Sequence, residues 1–569
     1  MRRAAFLAAT CTTGAAMAYL MAATLFVASP DLLGIAMMIA FLATLPWTVV
    51  GFWNAVIGFA LMTCSRDPYR ALAPWLAEDT EGDRVTASTA LLVCVRNEDP
   101  ARLERNLAWM TSDLAGCTGA DRFHVYVLSD SSDPNLAAAE AHLTAELQAR
   151  LGATIPVTYR RREQRDGFKA GNIRDFCERW GNRHDFAIVL DADSLMTARA
   201  MLRLVRTMQR EPRLGILQTL VTGLPSASAF ARIFQFGMRL GMRSYTLGSA
   251  WWQGGCGPYW GHNAIIRLAP FIEHCRLPTL PGGADVLSHD QIEAVLMRRA
   301  GYEVRVLVEE GGSWEENPPH LAEFIRRDLR WCQGNMQYVH LIGMPGLAPL
   351  SRIQIALAVA MYLSPLGWMS FLLLGVVRGV PIREETGLLL FAITVAMTFA
   401  PKIATLIDTL ARARVRQAFG GTVRVLLGVT IEFAFWTLLA PVCAIAVSLF
   451  LLGLPFGLGT GWSSQQRDAV GLPLVQAASK LWPQTLLGIV LLAWLISTAP
   501  GVFWWLALPV YVGLAVCIPV AWLTAHPAFG RALQRMGICR IPEETPSAFD
   551  IRLPRPFAPL MPVTDDRRP

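Results

Sequence analysis

The feature that most constrains this 569-residue chain is the placement of its apolar runs. Two lie close together, at roughly 4 to 28 and 31 to 64. A polar stretch follows to about 340, and apolar runs return near 352–377, 386–408, 422–455, 483–499 and 501–523. About 20 apolar residues cross a bilayer core of about 30 Å, so these runs are expected to be membrane spans. The chain is therefore expected to be a polytopic α-helical membrane protein with an α/β domain inserted between its transmembrane helices. A hydrophobic content of 53% and a mean hydropathy of +0.36 are too high for a wholly soluble protein of this length. The run at 422–455 holds Pro441 and is too long for one straight pass, so a kinked helix plus an interfacial or re-entrant piece is expected there, with six or eight spans in all.

Arg2 and Arg3 precede the first two spans, and Arg66 and Arg70 follow them. Excess positive charge marks cytoplasmic flanks, which puts the polar domain in the cytoplasm. The Arg412, Arg414, Arg416 and Arg424 loop and the tail with Arg531, Arg535 and Arg540 read the same way. The expected division is a transmembrane hairpin at 1–65, a cytoplasmic domain at 66–317, an amphipathic interface region at 318–350, a transmembrane region at 351–525 and a cytoplasmic tail at 526–569. A net charge of +7 is too mild for a nucleic-acid binder, and no nucleic-acid partner is expected. Eleven cysteines scattered without a C-x-x-C pair imply neither a zinc site nor a disulfide framework.

Within the polar stretch, short apolar strands at 88–94, 123–129, 156–159, 186–191 and 214–220 alternate with helical patterns, the signature of an open α/β sheet. Ligands in such sheets sit beyond the carboxyl ends of the strands. FAIVLDADS (186–194) ends there in Asp191 and Asp193. In an extended chain the two side chains would point the same way and share one Mg²⁺ or Mn²⁺; equally, Asp-x-Asp-Ser can simply begin a turn. Asp130, at the tip of FHVYVLSD, suits hydrogen bonds from a nucleobase or ribose, or capping of the next helix. Arg96, Asn97 and Glu98 emerge on the same edge. Lys169, one of only three lysines, stands beside Gly171 and Asn172 at a helix start suited to a diphosphate. The chain contains no Gly-Lys dipeptide, which excludes a Walker loop.

VLSHDQIEA reads as a capping box with Ser288 as cap and Asp290 in the first turn. A carboxylate held ionised there suits a general base, although acids are common in first turns for the same electrostatic reason. WWQGGCGPYWGHNAIIR (251–267) places aromatics among glycines, which fits sugar stacking or a buried cluster. The helical pattern at 318–338 sets Arg326, Arg327 and Arg330 at spacings of three and four, with Trp331 beside them.

The ordered set of Asp130, Lys169 to Asn172, Asp191 with Asp193, Asp290, and Arg327 to Trp331 resembles the processive inverting glycosyltransferases of the cellulose and chitin synthase type. Two departures stand out: Arg327 occupies the family's glutamine position, and the catalytic motif is Ser-His-Asp. YWGHNAIIR, LSHDQIEA, EENPP and RRDLRWCQGN are closer still to the glucosyltransferases of osmoregulated periplasmic glucans. This resemblance implies a GT-A-type domain in a bacterial inner-membrane protein that polymerises glucose from UDP-glucose into a β-1,2-linked glucan and passes it to the periplasm. Nucleotide-sugar contacts would come from Asp130, Lys169, Asn172, Asp191, Arg327 and Arg330. Asp193 and Asp191 would hold Mg²⁺ or Mn²⁺, and Asp290 would be the catalytic base. Trp260, His262, Asn263, His289 and Trp331 would meet the growing glucan chain. Membrane lipid and a further soluble or periplasmic glucan-pathway partner are also implied. Two rival readings are a non-processive enzyme that makes a polyprenyl-phosphate-linked sugar and a polysaccharide transporter without synthase activity.

Overall fold

The computed structural model describes residues 1–27, 30–78, 80–378, 383–460, 467–468, 471–498 and 505–544. Among the described residues ten strands form two sheets: β1 (Thr89–Val95), β2 (Phe123–Ser129), β3 (Val157–Arg161), β4 (Phe186–Asp191), β5 (Leu195–Met196), β6 (Leu214–Thr219), β7 (Thr222–Gly223), β8 (Ala264–Arg267), β9 (Glu303–Leu307) and β10 (Ser313–Glu315). The larger sheet has the order β3-β2-β1-β4-β8-β6-β9, and the smaller runs β5-β10-β7. The five expected strands are present within a residue or two. The sheet is mixed, because β8 pairs antiparallel with both β4 and β6 while its other pairs are parallel.

The central strands are apolar throughout because both faces are covered. Alternation divides them: Leu91, Val93 and Val125 join one core, while Leu92, Tyr126 and Val189 join the other. Helices packed over these faces leave the carboxyl ends of β1, β2 and β4 clustered at one edge. Register pairs Cys94 with Asp191, which sets the Arg96-Asn97-Glu98 turn beside the end of β4.

Among the described residues six helices are long and apolar enough to cross a membrane: Arg2–Leu25, Leu32–Cys64, Pro349–Val377, Glu384–Ala411, Thr422–Phe456 and Leu474–Thr498. A bent pair, Leu508–Ala515 and Cys517–Ala525, turns by 65° and brings the count to seven if it is one span. The expected break near Pro441 is not observed. Thr422–Gly453 is one helix, half of whose apolar window is buried among its neighbours. The break falls instead in the 501–523 run, whose residues 501–504 lie outside the described set.

Arg2 donates to the Leu72 carbonyl, Arg3 to that of Gln253, and Arg412 to that of Met62. Both ends of the N-terminal hairpin and the 412 loop therefore meet on the side of the α/β domain.

Candidate active site

The helix Phe168–Trp180 begins under strain: Gly167 and Phe168 both adopt left-handed φ, at 71° and 50°. For Phe168 this is uncommon backbone, of the kind that concentrates at functional sites. It sets Lys169 in the first turn, where the ammonium pairs with Asp191 and donates to the Gly261 carbonyl at 2.8 Å. Burial opposes charge on both partners. Their mutual attraction outweighs it, holding Lys169 above and Asp191 below its ordinary range.

Asp191 and Asp193 do not lie on one extended strand. β4 ends at Asp191, and a turn follows in which the Asp191 amide donates to Ser194 Oγ at 2.9 Å and the Ser194 amide to the Asp191 carbonyl at 3.0 Å. The turn separates the acids' partners. Asp193 faces Arg467, 3.2 Å away, and the same guanidinium lies 3.0 Å from Glu98. Asp193 is buried and the other two side chains are largely so, and burial pushes the Glu98 carboxyl up to about 7 against the pull of Arg467. Beside them Arg102 pairs with Glu316 at 3.2 Å and with Asp468.

Asp130 is buried at the end of β2 and matched by Arg162 through two bonds of 2.8 and 2.6 Å. The buried Asn172 donates to the Leu128 carbonyl at 2.9 Å, joining its helix to β2. Asp290 stands in the first turn of His289–Arg299, as expected, but the capping box does not form. Ser288 makes no side-chain cap; it packs against Gly334, where a Cβ would stand 2.1 Å from Ser288 Oγ, and its carbonyl accepts from Tyr338 at 2.7 Å. On the other side Gly261, at φ 80°, brings the 254–263 loop so close that a Cβ would lie 3.3 Å from Asp290 Cβ. Gly261 therefore touches both the Lys169–Asp191 pair and Asp290.

Among the described residues Asp290 has no hydrogen-bond or ion-pair partner, unlike Asp130, Asp191 and Asp193. His289 beside it is buried and lies 2.9 Å from Glu293, whose charge outweighs burial and raises the imidazole. His262 lies 3.5 Å from Glu315, and burial pushes that carboxyl up. Asn263 is fully buried, with its amide donated to Ser313 Oγ and the Trp314 carbonyl, so this side chain joins the 263 loop to β10. Trp260 is half-buried, its amide held by Gln218 at 2.8 Å.

Helix Leu321–Met336 supplies the remaining cations. Arg327 is buried over the Trp331 ring at 4.6 Å, and Trp331 is 46% exposed. Burial lowers Arg330 to about 10, with Asp191 among the charges acting on it. Arg162, Arg467, Arg102 and Glu316 are among the residues that sequence reading missed. The polar QQRD at 465–468, set between apolar runs, was the available signal for Arg467.

No group of three protein ligands for a metal forms among the described residues. Mg²⁺ commonly takes one or two carboxylates and completes its shell with phosphate oxygens and water. The hard oxygens of Asp191 and Asp193 at one turn fit that role.

Residues 186–401 match the family described as glycosyl transferase family group 2, and residues 90–275 match glycosyl transferase family 2. The chain is 36% identical over 526 residues to the glucans biosynthesis glucosyltransferase H of Pseudomonas putida strain W619, with 88% of this chain and 60% of that one covered. It is 35% identical over 544 residues to the protein of the same name from Dickeya dadantii, with 91% and 63% covered. The chain thus spans about 60% of the length of these curated relatives. Among solved structures, a mannosyltransferase from Pyrobaculum calidifontis in complex with GDP-mannose and Mn²⁺ is similar at 15% identity and a TM-score of 0.38, over 64% of this chain and 99% of that one. The polar region of this chain carries a glycosyltransferase family 2 domain with a GT-A-like mixed sheet, and the chain is a homologue of the glucans biosynthesis glucosyltransferases H.

Proposed function

We propose that this protein is an inverting, processive glucosyltransferase that extends a β-glucan from UDP-glucose and passes it through its own membrane helices. The observation that carries the reading is Asp290. Among the described residues it is the one of the four site aspartates without a partner, in a cleft where Asp130, Asp191 and Asp193 are each matched by a cation. A general base needs a carboxylate free to take a proton.

In the proposed reaction Asp290 takes the proton of an acceptor hydroxyl as that oxygen attacks the anomeric carbon of glucose. The bond from that carbon to the UDP phosphate breaks on the opposite face, and a single displacement turns an α-linked donor into a β-linked product. Asp130 and Arg162 would hold the nucleoside end. Lys169 and Arg330 would meet the diphosphate, with Asn172 and Arg327 supporting them. Asp191 and Asp193 would hold the Mg²⁺ or Mn²⁺, which when bound offsets charge on the leaving diphosphate. Trp260, His262 and Trp331 would line the acceptor path, with His289 and Asn263 fixing its walls. Tyr338 and Ser288 tie the Asp290 helix to Leu321–Met336, just before the span at Pro349–Val377, which supports a chain held at the membrane as it grows. The β-1,2 linkage, periplasmic delivery and cytoplasmic placement follow from kinship with the glucan synthases.

The test is purified protein in lipid, supplied with UDP-glucose and Mg²⁺. UDP release with long glucan is expected, and linkage analysis should return β-1,2 bonds. Asp290→Asn should lose turnover by at least a thousandfold, about 4 kcal/mol of transition-state stabilisation, while still binding UDP. A single glucosyl lipid as product would refute processivity, and normal polymerisation by Asp290→Asn would refute the base assignment.

A further inference from the structure

Outside the catalytic cleft, the spanning helices Glu384–Ala411 and Thr422–Gly453 enclose a cavity of about 260 Å³ with Leu240 of the helix Ala229–Gln253. Its walls are apolar, built mainly from Val395, Phe399, Ile403, Val429 and Phe433. Phe399 and Phe433 face each other at 4.9 Å. Val395, Ile403 and Phe433 are 37%, 48% and 48% exposed, so the cavity opens on the outer face of the helix bundle. The volume is many times the roughly 30 Å³ share of a liquid water, enough for a stretch of acyl chain.

Two charged groups line this apolar space, Lys402 and Glu432, and they pair with each other. Ionisable groups within membrane spans are costly and concentrate at functional positions. The two are not equally placed. Glu432 is 2% exposed and covered by the helix Ala229–Gln253 at Gly237, where a Cβ would lie 2.2 Å from its carboxylate oxygen; the Lys402 side chain is 30% exposed. An ammonium has three N–H donors, and among the described residues Glu432 is the only partner of Lys402. Two of its N–H donors are therefore left for an acceptor other than the described residues, at the mouth of an apolar groove where an anionic headgroup can supply one.

Depth fixes what that anion can be. Lys402 lies six residues before Asp408, about 9 Å along the helix, and Asp408 is held by Arg243 at 3.0 Å and Arg412 at 2.8 Å on the side of the glycosyltransferase domain. A lysine stem can snorkel over part of that distance toward the interface. Held on Glu432, the ammonium lies within about one and a half helical turns of that end of the span, where a lipid phosphate drawn inward can meet it while the groove continues among acyl chains.

We propose that this groove is a binding site for one anionic glycerophospholipid of the leaflet facing the glycosyltransferase domain, its phosphate on Lys402 and an acyl chain laid along the wall that Phe399 and Phe433 form together. The cation selects the headgroup charge and the apolar walls select a lipid over a soluble phosphate. The site stands apart from the catalytic reading and survives its failure.

The test uses the full chain in nanodiscs doped with a phosphatidylglycerol carrying a diazirine on its acyl chain, with a phosphatidylcholine probe in parallel. Labelled peptides are mapped by mass spectrometry. Phosphatidylglycerol is expected to label the segments around 395–406 and 429–433, and the double variant Lys402→Met with Glu432→Gln, which leaves no lone buried charge, to reduce that labelling about tenfold, the loss of one charge-assisted hydrogen bond. Lys402→Arg should retain it. Size-exclusion profiles matching wild type would show that the variants fold; a double variant that does not fold leaves the comparison of the two probes on wild type to decide. Equal labelling by phosphatidylcholine, undiminished labelling of a folded double variant, suppression by excess inorganic phosphate, or preference for a polyprenyl phosphate probe would each overturn the proposal.

Discussion

Glu98 offers a quantitative test of how the cleft balances its charges. Its side chain is 13% exposed, and burial raises its carboxyl from 4.5 to about 7 even with the Arg467 guanidinium 3.0 Å away. At 1.36 kcal/mol per pH unit, that rise is worth about 3 kcal/mol. The direction follows from proton binding. The folded state holds the Glu98 proton more tightly than the unfolded chain, so this contribution is complete below pH 4.5 and is lost as pH rises through about 7. Replacing Glu98 with Gln removes the titration while keeping a polar partner for Arg467. In metal-free detergent solution, followed by intrinsic tryptophan fluorescence, the wild-type melting temperature should therefore fall relative to Glu98→Gln between pH 4.5 and 7.5. At about 2–4 °C per kcal/mol for a domain of this size, the difference is about 6–12 °C. Parallel curves for the two proteins would refute the reasoning, because they would mean that Arg467 keeps Glu98 ionised throughout.

Three further substitutions probe the same architecture. Gly261→Ala places a methyl 3.3 Å from Asp290 Cβ at φ 80°, a backbone conformation costing an L-residue about 1–2 kcal/mol; UDP release should fall about tenfold, and wild-type turnover would refute the role of this contact. Asp130→Asn leaves the buried Arg162 without its carboxylate and should destabilise the protein by about 3–5 kcal/mol, read as a lower melting temperature; an unchanged melt would show that the pair is dispensable. Gly334→Ala would drive a methyl into Ser288 Oγ and displace the Asp290 turn, so turnover should fall while UDP binding, followed calorimetrically, stays within twofold.

Much of the fold was legible because β1, β2, β4 and β6 are buried on both faces and therefore read as uninterrupted apolar runs. β8 was not. It has four residues, follows a glycine-rich loop and runs antiparallel between two parallel neighbours, an arrangement fixed by tertiary pairing. β5, β7 and β10 are two or three residues long and carry no period at all. In the cleft, Asp130, Lys169, Asp191, Asp193 and Asp290 were visible because each sits at a strand end or helix start, where local sequence states its position. Their partners were not. Arg162 falls in an arginine-rich stretch where nothing singles it out, and Arg467 is reached only through contacts to Asp193 and to Glu98, the latter 369 residues away. The Ser288 cap failed for a related reason. The local pattern was correct, but Gly334 and Tyr338, nearly fifty residues away, took the serine for packing.

The matched charges also constrain how a donor can enter. Lys169, which the proposal sets against the diphosphate, is engaged by Asp191, and Arg467 by Asp193 and Glu98, so both of these cations are already matched in this structure. A nucleotide diphosphate arriving with a divalent cation changes both balances together. On the proposed assignment Asp191 and Asp193 would hold the metal, and their present partners Lys169 and Arg467 would become available to the phosphate oxygens. Neither half of the exchange is favourable alone: phosphate without metal would crowd the acids, and metal without phosphate would strand two buried cations. Donor and metal are thus expected to bind with positive coupling. Asp290, which pairs with no cation among the described residues, would on the same proposal stay free to act as base before and after it.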